Sequence, residues 1–248
     1  MKKLTNYKEI VDKKLSQSCQ LIKFDENNKE EWLKLRMNGI GGSDLSAILG
    51  HSHWKNRKDI YLSKKELQPQ IHSFAIDFGN YFESIMFQIF SYKYKDRYVV
   101  LDYKDTMFRN IFCPYLQASL DGVLYDLVTR QVGILEIKTT QERKKEWYDK
   151  EGNRVAPIHY FDQAIHYFNV TNVDFVIFYT AVNYENSKND RDFEILRPRI
   201  YFRKDCLDYC KYTLLECHKF WNNHVVKNIP PNEVLTFWEE AIIWKQKF

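Results

Sequence analysis

The sequence SLDG at residues 119–122, followed across a turn by LEIK at residues 135–138, decides the fold and the chemistry that we predict. The second stretch alternates apolar and charged residues, as in a strand whose successive side chains point to opposite faces. Glu136 and Lys138 therefore share one face of that strand. If the strand that begins after Asp121 pairs with the strand that carries Glu136, the Asp121 carboxylate lies beside that of Glu136.

Two carboxylates and a lysine at one sheet surface are costly unless a divalent cation offsets the repulsion. Metal-dependent hydrolysis of phosphodiesters uses such a set, because the cation neutralises charge on the phosphate and lowers the pKa of a bound water. The same spacing of Asp121, Glu136 and Lys138 also fits an ordinary solvated strand face. Further motifs must decide between the two interpretations.

Three further features favour a functional site. Glu83 lies on a predicted amphipathic helix upstream and could supply another metal ligand. Gln163 and Tyr167 are four residues apart, which places them on one face of a predicted helix. Arg36 precedes the glycine-rich GIGGSD at residues 39–44, and an arginine beside free N–H groups at a helix start can bind phosphate. Taken singly, these features also fit a surface glutamate, a polar helix face and a turn.

Hydrophobic periodicity predicts an α/β fold with a central mixed sheet flanked by helices. Asn28 and Ser43 are expected to cap two short helices, and Asp205 a longer one. We predict helices at about 28–39, 43–50, 57 onward, 74–94, 158–168 and 205–224, and a last helix ending near Trp244. We predict strands at about 98–101, 107–113, 116–125, 132–139, 173–179 and 193–202.

Length and composition limit the class of protein. The chain has 248 residues, of which 44% are hydrophobic, and this predicts a single folded domain. We divide it into an N-terminal helical segment at 1–35, a catalytic core at 36–180, and a C-terminal strand and helices at 181–248. The net charge of +4 fits a polyanionic partner and an ordinary protein equally well. Without a secretory signal or an apolar stretch of ~20 residues, we expect a cytoplasmic protein and no membrane partner.

The order of the motifs resembles the YqaJ-like viral recombinase family, the family of lambda exonuclease, within the RecB-type branch of the PD-(D/E)xK nucleases. The resemblance covers roughly residues 36–167. The matching motifs are R-x6-S with GIGGSD, HWK at 53–55, G-N-x-x-E at 79–83, SLDG, E-I-K and Q-x3-Y at 163–167. Each motif is weak alone, whereas their combination is specific. The resemblance implies a PD-(D/E)xK restriction-endonuclease-like core.

The resemblance also implies an enzyme, a Mg²⁺- or Mn²⁺-dependent deoxyribonuclease that degrades linear double-stranded DNA from 5′ to 3′ in phage-type recombination. By resemblance, Asp121, Glu136 and the backbone carbonyl of Ile137 would bind the metal. Glu83 would support that metal site, and Lys138 would act on the attacking water. The family further implies double-stranded DNA ends and a single-strand-annealing protein as partners. It also implies that three copies of the chain form a ring.

The remaining implied residues lie around this centre. Gln163 and Tyr167 would organise it, and Arg36, Ser43 and Ser119 would hold the 5′-phosphate of the DNA strand. One departure from the family is an aspartate at position 44, which adds negative charge near the proposed phosphate. A PD-(D/E)xK endonuclease of restriction or structure-specific type, which needs no such pocket, is the main alternative. A catalytically inactive DNA-binding module is the other.

Two other features have competing interpretations. Cys206, Cys210 and Cys217 fall near one face of the predicted C-terminal helix, and with Cys19 they could hold the iron–sulfur cluster of some RecB-type nucleases. We predict buried thiols instead, because cysteine is commonly a small buried hydrophobe. The basic and aromatic run at residues 197–204 fits a nucleic-acid surface and a charge-protected edge strand equally well.

Overall fold

Two β-sheets lie at the centre of the fold. The structure, a computed structural model of the chain, describes residues 2–25, 28–65, 74–140, 144–183 and 193–232. Within these residues, a mixed sheet of six strands is accompanied by a sheet of three strands. Helices pack on both faces of the larger sheet, so the predicted α/β architecture is confirmed.

The element bounds follow the predicted order. The helices are α1 (Lys2–Leu15), α2 (Lys29–Met37), α3 (Gly42–Leu49), α4 (Arg57–Lys65), α5 (Phe74–Lys93), α6 (Ile158–Thr171) and α7 (Leu207–Phe220). The strands are β1 (Cys19–Lys23), β2 (Tyr98–Leu101), β3 (Thr106–Asn110), β4 (Gln117–Ser119), β5 (Gly122–Asp126), β6 (Val132–Thr140), β7 (Phe175–Asn183), β8 (Phe193–Ile195) and β9 (Arg199–Phe202). The N-terminal segment at 1–35 therefore contains a strand besides its helices, and the single-domain assignment stays a prediction.

The larger sheet has the order β2-β5-β6-β7-β8, in which β6 pairs antiparallel with β5 and parallel with β7. Both β8 and β9 pair with the edge of β7 that β6 leaves free. The strand predicted at 193–202 is thus two strands along one edge. Pro198 lies between them, and proline lacks the N–H that a continuous ladder needs.

The strand predicted at 116–125 is also two strands, and here the division matters for the site. β4 belongs to the smaller sheet, whose order is β1-β3-β4, whereas β5 belongs to the larger one. Leu120 and Asp121 connect them. The side chain of Asp121 therefore lies where the two sheets meet, outside both ladders.

The two faces of β6 pack as its alternation predicts. Leu135 and Ile137 contact the α5 side, in a core cluster with Met86 and Phe90. Ile134 points the other way, into the core that includes the buried residues of α3, α6 and α7. Glu136 and Lys138 follow Ile134 at every second residue, so they lie on the α6 side of the sheet.

Three helix starts were predicted from capping residues, and the predictions for Ser43 and Asp205 are wrong. The Asn28 side chain accepts a hydrogen bond from the Glu31 N–H at 3.1 Å and caps α2 as predicted. Ser43 does not cap α3, because the N-cap is Gly41 and the helix has already begun at residue 42. In place of a side-chain cap from Gly41, Asp44 reaches back and accepts from the Gly41 N–H at 2.9 Å.

The C-terminal part of the described chain differs from its prediction in one detail. Asp205 ends a short 3-10 turn, and Cys206 is the N-cap of α7. After α7, the chain continues as a π-helix over Trp221–Val226. The helix predicted to end near Trp244 lies outside the described residues. Among the helices that the described residues form, none is both long and apolar enough to cross a membrane.

Candidate active site

The residues that the sequence predicted for the site line one cavity of about 470 Å³. The cavity lies where the two sheets meet α2, α3, α5 and α6. The ten predicted residues in its lining are Arg36, Ser43, Glu83, Ser119, Asp121, Glu136, Ile137, Lys138, Gln163 and Tyr167. Residues more than 120 positions apart in sequence are thus brought together, and the charges divide the cavity into two ends.

Asp121 enters the cavity at the start of β5. The ladder between β5 and β6 ends with Gly122 opposite Leu135, which places Asp121 next to Glu136. The Ile137 N–H donates a hydrogen bond to Asp121 Oδ2 at 2.7 Å. Because the N–H and C=O of a strand residue point to the same side, the Ile137 carbonyl faces the same region. The Ile137 carbonyl oxygen and the Asp121 carboxylate therefore lie close together where the ladder ends.

Glu136 and Lys138 line the cavity beside Asp121, and the three residues form its carboxylate end. Lys138 Nζ lies 2.6 Å from Glu136 Oε1 and 5.0 Å from the centre of the Tyr160 ring. Glu136 is almost fully buried, and its Oε2 has no hydrogen-bond partner within the described residues. Because buried carboxylate oxygens are normally satisfied, this oxygen is available to a donor or a cation.

The electrostatics of this carboxylate end are unbalanced. Burial, together with the charges of Glu136 and Glu83, raises the pKa of Asp121 well above its ordinary value. Burial and the charge of Glu136 also raise the pKa of Glu83. For Lys138 burial opposes the charge, but Glu136 and Asp121 outweigh it and raise the lysine pKa. The charges of Lys138 and Lys104 therefore do not outweigh burial and mutual repulsion at Asp121 and Glu83.

Two residues of α6 close the cavity on one side. Gln163 Nε2 donates to the Tyr167 hydroxyl at 2.6 Å, and that hydroxyl lies 3.4 Å from the carbonyl oxygen of Ser119. Helix α3 approaches this pair closely, since a Cβ on Gly42 would lie 2.8 Å from Gln163 Cγ and 2.9 Å from Tyr167 Cε1. Glycine at position 42 is therefore what lets α3 and α6 meet.

Arg36 and Ser43 lie at the opposite end of the cavity. Arg36 is near the C-terminus of α2, and its Nη2 donates to Ser43 Oγ at 3.2 Å. The guanidinium also lies 4.9 Å from the centre of the Trp32 ring, one helical turn earlier. Gly41 and Gly42 line the cavity beside it. A cation, a hydroxyl and a helix N-terminus at one place form a chemically suitable anion site.

Asp44, which is expected from the sequence to add negative charge near the phosphate, does not point its charge into this anion end. Its side chain is 3% exposed and lies 2.7 Å from Lys64 Nζ and 3.4 Å from Arg36 Nη2. Burial would raise the pKa of Asp44, but the charges of Lys64 and Arg36 hold it well below its ordinary value. The carboxylate is thus ionised and compensated within the fold.

Three lining or supporting residues were missed by the sequence reasoning. Lys104, in the turn between β2 and β3, lines the cavity, and its charge lowers the pKa of Glu83 in opposition to burial. Trp32 could have been found, because it precedes Arg36 by four residues on a helix. Lys64 gave no signal, since a lysine on a short charged helix is normally exposed.

The cysteines weighed for a cluster occupy different places in the fold. Cys19 is buried on β1, where its Sγ lies 3.1 Å from the Val170 carbonyl oxygen. Cys210 and Cys217 are buried on α7, and Cys206 is partly exposed at its start. Within the described ranges, no group of three or more His, Cys, Asp and Glu side chains is arranged so that it could hold a metal ion.

Sequence comparisons assign a family. The family model of the YqaJ-like viral recombinase domain matches residues 31–174. Among curated proteins, the uncharacterized protein YqaJ of Bacillus subtilis (strain 168) is 34% identical over 168 residues, which are 65% of this chain and 48% of that protein. The chain therefore spans about half the length of this relative.

Solved structures with a similar fold include two of LHK-Exo, an alkaline exonuclease from Laribacter hongkongensis. The complex with dAMP has a TM-score of 0.60 at 16% identity, covering 81% of this chain and 94% of that chain. The second structure has a TM-score of 0.58 at 15% identity, covering 88% and 98%. At these identities the likeness concerns the fold, and it agrees with the α/β architecture described above.

Proposed function

The chain belongs to the YqaJ-like viral recombinase family, and we propose that it is a metal-dependent exonuclease that degrades linear double-stranded DNA from 5′ to 3′. The observation that carries this proposal is that a single cavity has one end lined by carboxylates and another end suited to an anion. Asp121 and Glu136 form a carboxylate end with Lys138, and Arg36 and Ser43 form an anion end. A phosphodiester strand with a divalent cation complements both ends at once.

The residues present fit a divalent cation at the carboxylate end. Glu136 Oε2 lacks a partner among the described residues, and burial and two acidic neighbours disfavour ionised Asp121 more than the Ile137 N–H and the charge of Lys138 favour it. We infer that Asp121, Glu136 and the Ile137 carbonyl would hold Mg²⁺ or Mn²⁺, with Glu83 in support. Mg²⁺ is commonly bound through one or two carboxylates and completed by waters and substrate phosphates. When bound, it supplies charge neutralisation and a water of lowered pKa.

Lys138 is proposed to orient the attacking water and to donate a hydrogen bond to the phosphate. Its pKa is raised by Glu136 and Asp121, so the amine stays protonated at neutral pH and acts as a donor. The Tyr160 ring and Glu136 hold the ammonium group in place from two sides. The geometry therefore favours orientation of the water over its deprotonation by Lys138.

Gln163 and Tyr167 are proposed to organise the site without touching the cation. Tyr167 is buried, and burial with the nearby charges of Glu136 and Asp121 raises its pKa well above the ordinary value. The tyrosine therefore stays neutral and can donate its hydroxyl proton. Its hydroxyl approaches the Ser119 carbonyl, which fixes the end of β4 just before Asp121.

The 5′-phosphate of the strand is proposed to bind at the anion end. Arg36 supplies the charge, Ser43 a hydroxyl, and the start of α3 its free N–H groups. Ser119 lines the cavity between the two ends and is proposed as a further phosphate contact. We propose that a phosphate bound there brings the first phosphodiester to the carboxylates that line the same cavity, which would favour cleavage from the end.

Further aspects of the proposal come from the family alone. We propose that the enzyme acts in phage-type DNA recombination in the bacterial cytoplasm, as a ring-shaped homo-oligomer and with a single-strand-annealing protein as partner. A PD-(D/E)xK endonuclease remains the second candidate. The anion end favours the exonuclease, since cutting within a strand needs no terminal phosphate.

Digestion of duplex DNA tests the proposal. Wild type, Lys138→Met and the surface control Lys211→Met would be incubated in Mg²⁺ or Mn²⁺ with linear duplexes bearing 5′-phosphate or 5′-hydroxyl ends and with closed circles. We expect release of mononucleotides from 5′-phosphorylated ends by wild type and Lys211→Met. Lys138→Met should be slower by about a hundredfold or more, as when a group that stabilises transition-state charge is removed.

The other outcomes are distinct. Cutting of closed circles would replace the exonuclease with the endonuclease. Absence of cleavage with either metal, in a protein that still binds DNA, would overturn the enzymatic proposal in favour of a binding module. Equal activity of Lys138→Met and wild type would overturn the role of Lys138 and leave the cleavage itself intact.

A further inference from the structure

A buried carboxylate lies between two cations behind the anion end of the cavity. Asp44 Oδ1 is 3.4 Å from Arg36 Nη2, and Asp44 Oδ2 is 2.7 Å from Lys64 Nζ. The Gly41 N–H donates to the same Oδ2 at 2.9 Å. Both oxygens of Asp44 are therefore occupied, and one negative charge is shared by two positive ones.

The two cations differ in where their charge is available. The Lys64 side chain is 3% exposed, whereas that of Arg36 is 29% exposed and lines the cavity. Lys64 is thus enclosed with Asp44, and the net positive charge of the trio is presented to the cavity by Arg36. A carboxylate paired with Arg36 alone would cancel that charge.

Lys64 also fixes the backbone from which Arg36 extends. Its Nζ donates to the Arg36 carbonyl oxygen at 3.2 Å, in the last turn of α2, where a positive charge also complements the helix dipole. One ammonium group on α4 therefore connects the end of α2 to the start of α3. These two helix ends carry Arg36 and Ser43, respectively.

We propose that Lys64 is a positioning residue of the 5′-phosphate site, because by neutralising Asp44 it leaves the Arg36 charge free for the phosphate. The proposal rests on the 5′-phosphate site of the proposed function. It gives Asp44 the role of orienting Arg36 and capping α3, in place of repelling the phosphate.

The neighbouring residue Lys65 provides a matched control. It lies on the same helix, and its Nζ donates to the Val225 carbonyl oxygen at 2.7 Å, away from Asp44. Both lysines anchor α4 through a backbone carbonyl, but only Lys64 contacts the Asp44 carboxylate. If α4 merely needs anchoring, the two substitutions should have similar consequences.

The experiment compares wild type, Lys64→Met, Lys65→Met and the double variant Asp44→Asn/Lys64→Met. The readout is the ratio of cleavage rates on duplexes with 5′-phosphate and 5′-hydroxyl ends, with binding of the same duplexes in Ca²⁺ and thermal unfolding measured in parallel. A ratio cancels any general loss of folded protein. The double variant removes both buried charges, so it remains informative if Lys64→Met alone folds poorly.

We expect Lys64→Met to lower the preference for 5′-phosphate about tenfold, the size of one lost charge-assisted hydrogen bond. The double variant should regain most of the preference, because Arg36 is again free of a competing carboxylate. Lys65→Met should keep the wild-type ratio even if its unfolding temperature falls.

Three results would overturn the proposal. An unchanged ratio in Lys64→Met with a lower unfolding temperature would make Lys64 a structural anchor only. A double variant as impaired as Lys64→Met would exclude charge balance as the cause. If wild type itself treats both ends alike, the 5′-phosphate site fails, and the role of Lys64 fails with it, whereas the metal-dependent cleavage stands.

Discussion

The two ends of the cavity treat buried carboxylates in opposite ways. Asp121, at the carboxylate end, has one backbone donor and two acidic neighbours, and its pKa is raised by burial and their charges. Asp44, behind the anion end, is more deeply buried but has Lys64, Arg36 and a backbone donor, and its pKa is lowered. Burial alone therefore does not set the charge of a carboxylate in this protein.

The difference separates a carboxylate whose charge the fold compensates from a pair whose charges it leaves uncompensated. The interactions of Asp44 are complete within the fold, so its contribution to stability is already present. Asp121 and Glu136 are arranged at a cost that the metal-free protein bears. A cation at the carboxylate end would offset its excess negative charge, and a phosphate at the anion end would offset the net positive charge of Arg36, Lys64 and Asp44. The proposed substrate and metal should therefore bind cooperatively.

The largest expected effect comes from substituting each of the two aspartates by asparagine. Asp44→Asn should lower the free energy of unfolding by about 3 kcal/mol, because it leaves Lys64 buried without its partner. Asp121→Asn should instead raise the unfolding temperature in EDTA, since it removes a desolvated charge beside two others. Chemical and thermal unfolding measure both, and the same sign for both variants would contradict the comparison.

The pH dependence sharpens the same contrast. A raised pKa means that folded Asp121 keeps its proton to higher pH than the unfolded chain, so the metal-free protein loses stability as pH rises above about 4. Asp44 has a lowered pKa, so its contribution is complete above about 4 and is lost below it. The gain from Asp121→Asn in EDTA should therefore grow as the pH rises from about 5. A gain that shrinks over this range would exclude the proposed cause.

Several residues of the site could be predicted from sequence because local geometry determines them. The period of two on β6 places Glu136 and Lys138 on one face, and pairing with the next strand brings Asp121 to them. Helical spacing likewise pairs Gln163 with Tyr167, whose side chains meet in the structure. In each case neighbours in sequence fix the direction of the side chain.

Other features depend on contacts that no local pattern records. The sequence predicts one continuous strand over residues 116–125, yet the chain changes sheets at Leu120 and Asp121 because the two halves pair with different strands. Lys64 is buried because α4 packs its side chain against the Asp44 carboxylate of α3, a contact between two elements that spacing along the sequence does not predict. The interruption near Pro198 was predictable, since proline within a strand pattern signals a break or an edge.

A smaller effect is expected from Gly42→Ala, which tests the contact between α3 and α6. The added methyl group would meet Gln163 and Tyr167 at less than 3 Å, so one helix must move. We expect a loss of about 2 kcal/mol in stability, as for overpacked cores, and slower cleavage of all duplex ends. Gly79→Ala on α5 is the control, because no described residue lies within 4 Å of its Cβ position. Equal effects of the two variants would contradict a specific role for position 42.

The smallest effect is expected from Asn28→Ala, at the far end of the helix that carries Arg36. Losing the hydrogen bond to the Glu31 N–H should cost about 1 kcal/mol, and Asn28→Asp, which keeps an acceptor there, should lose little. The preference for 5′-phosphate should stay close to wild type, because Arg36 is held at its own end by Ser43 and Asp44. If Asn28→Ala lowered that preference as much as Lys64→Met, the position of Arg36 would depend on the integrity of α2, and the charge balance around Asp44 would not be its cause.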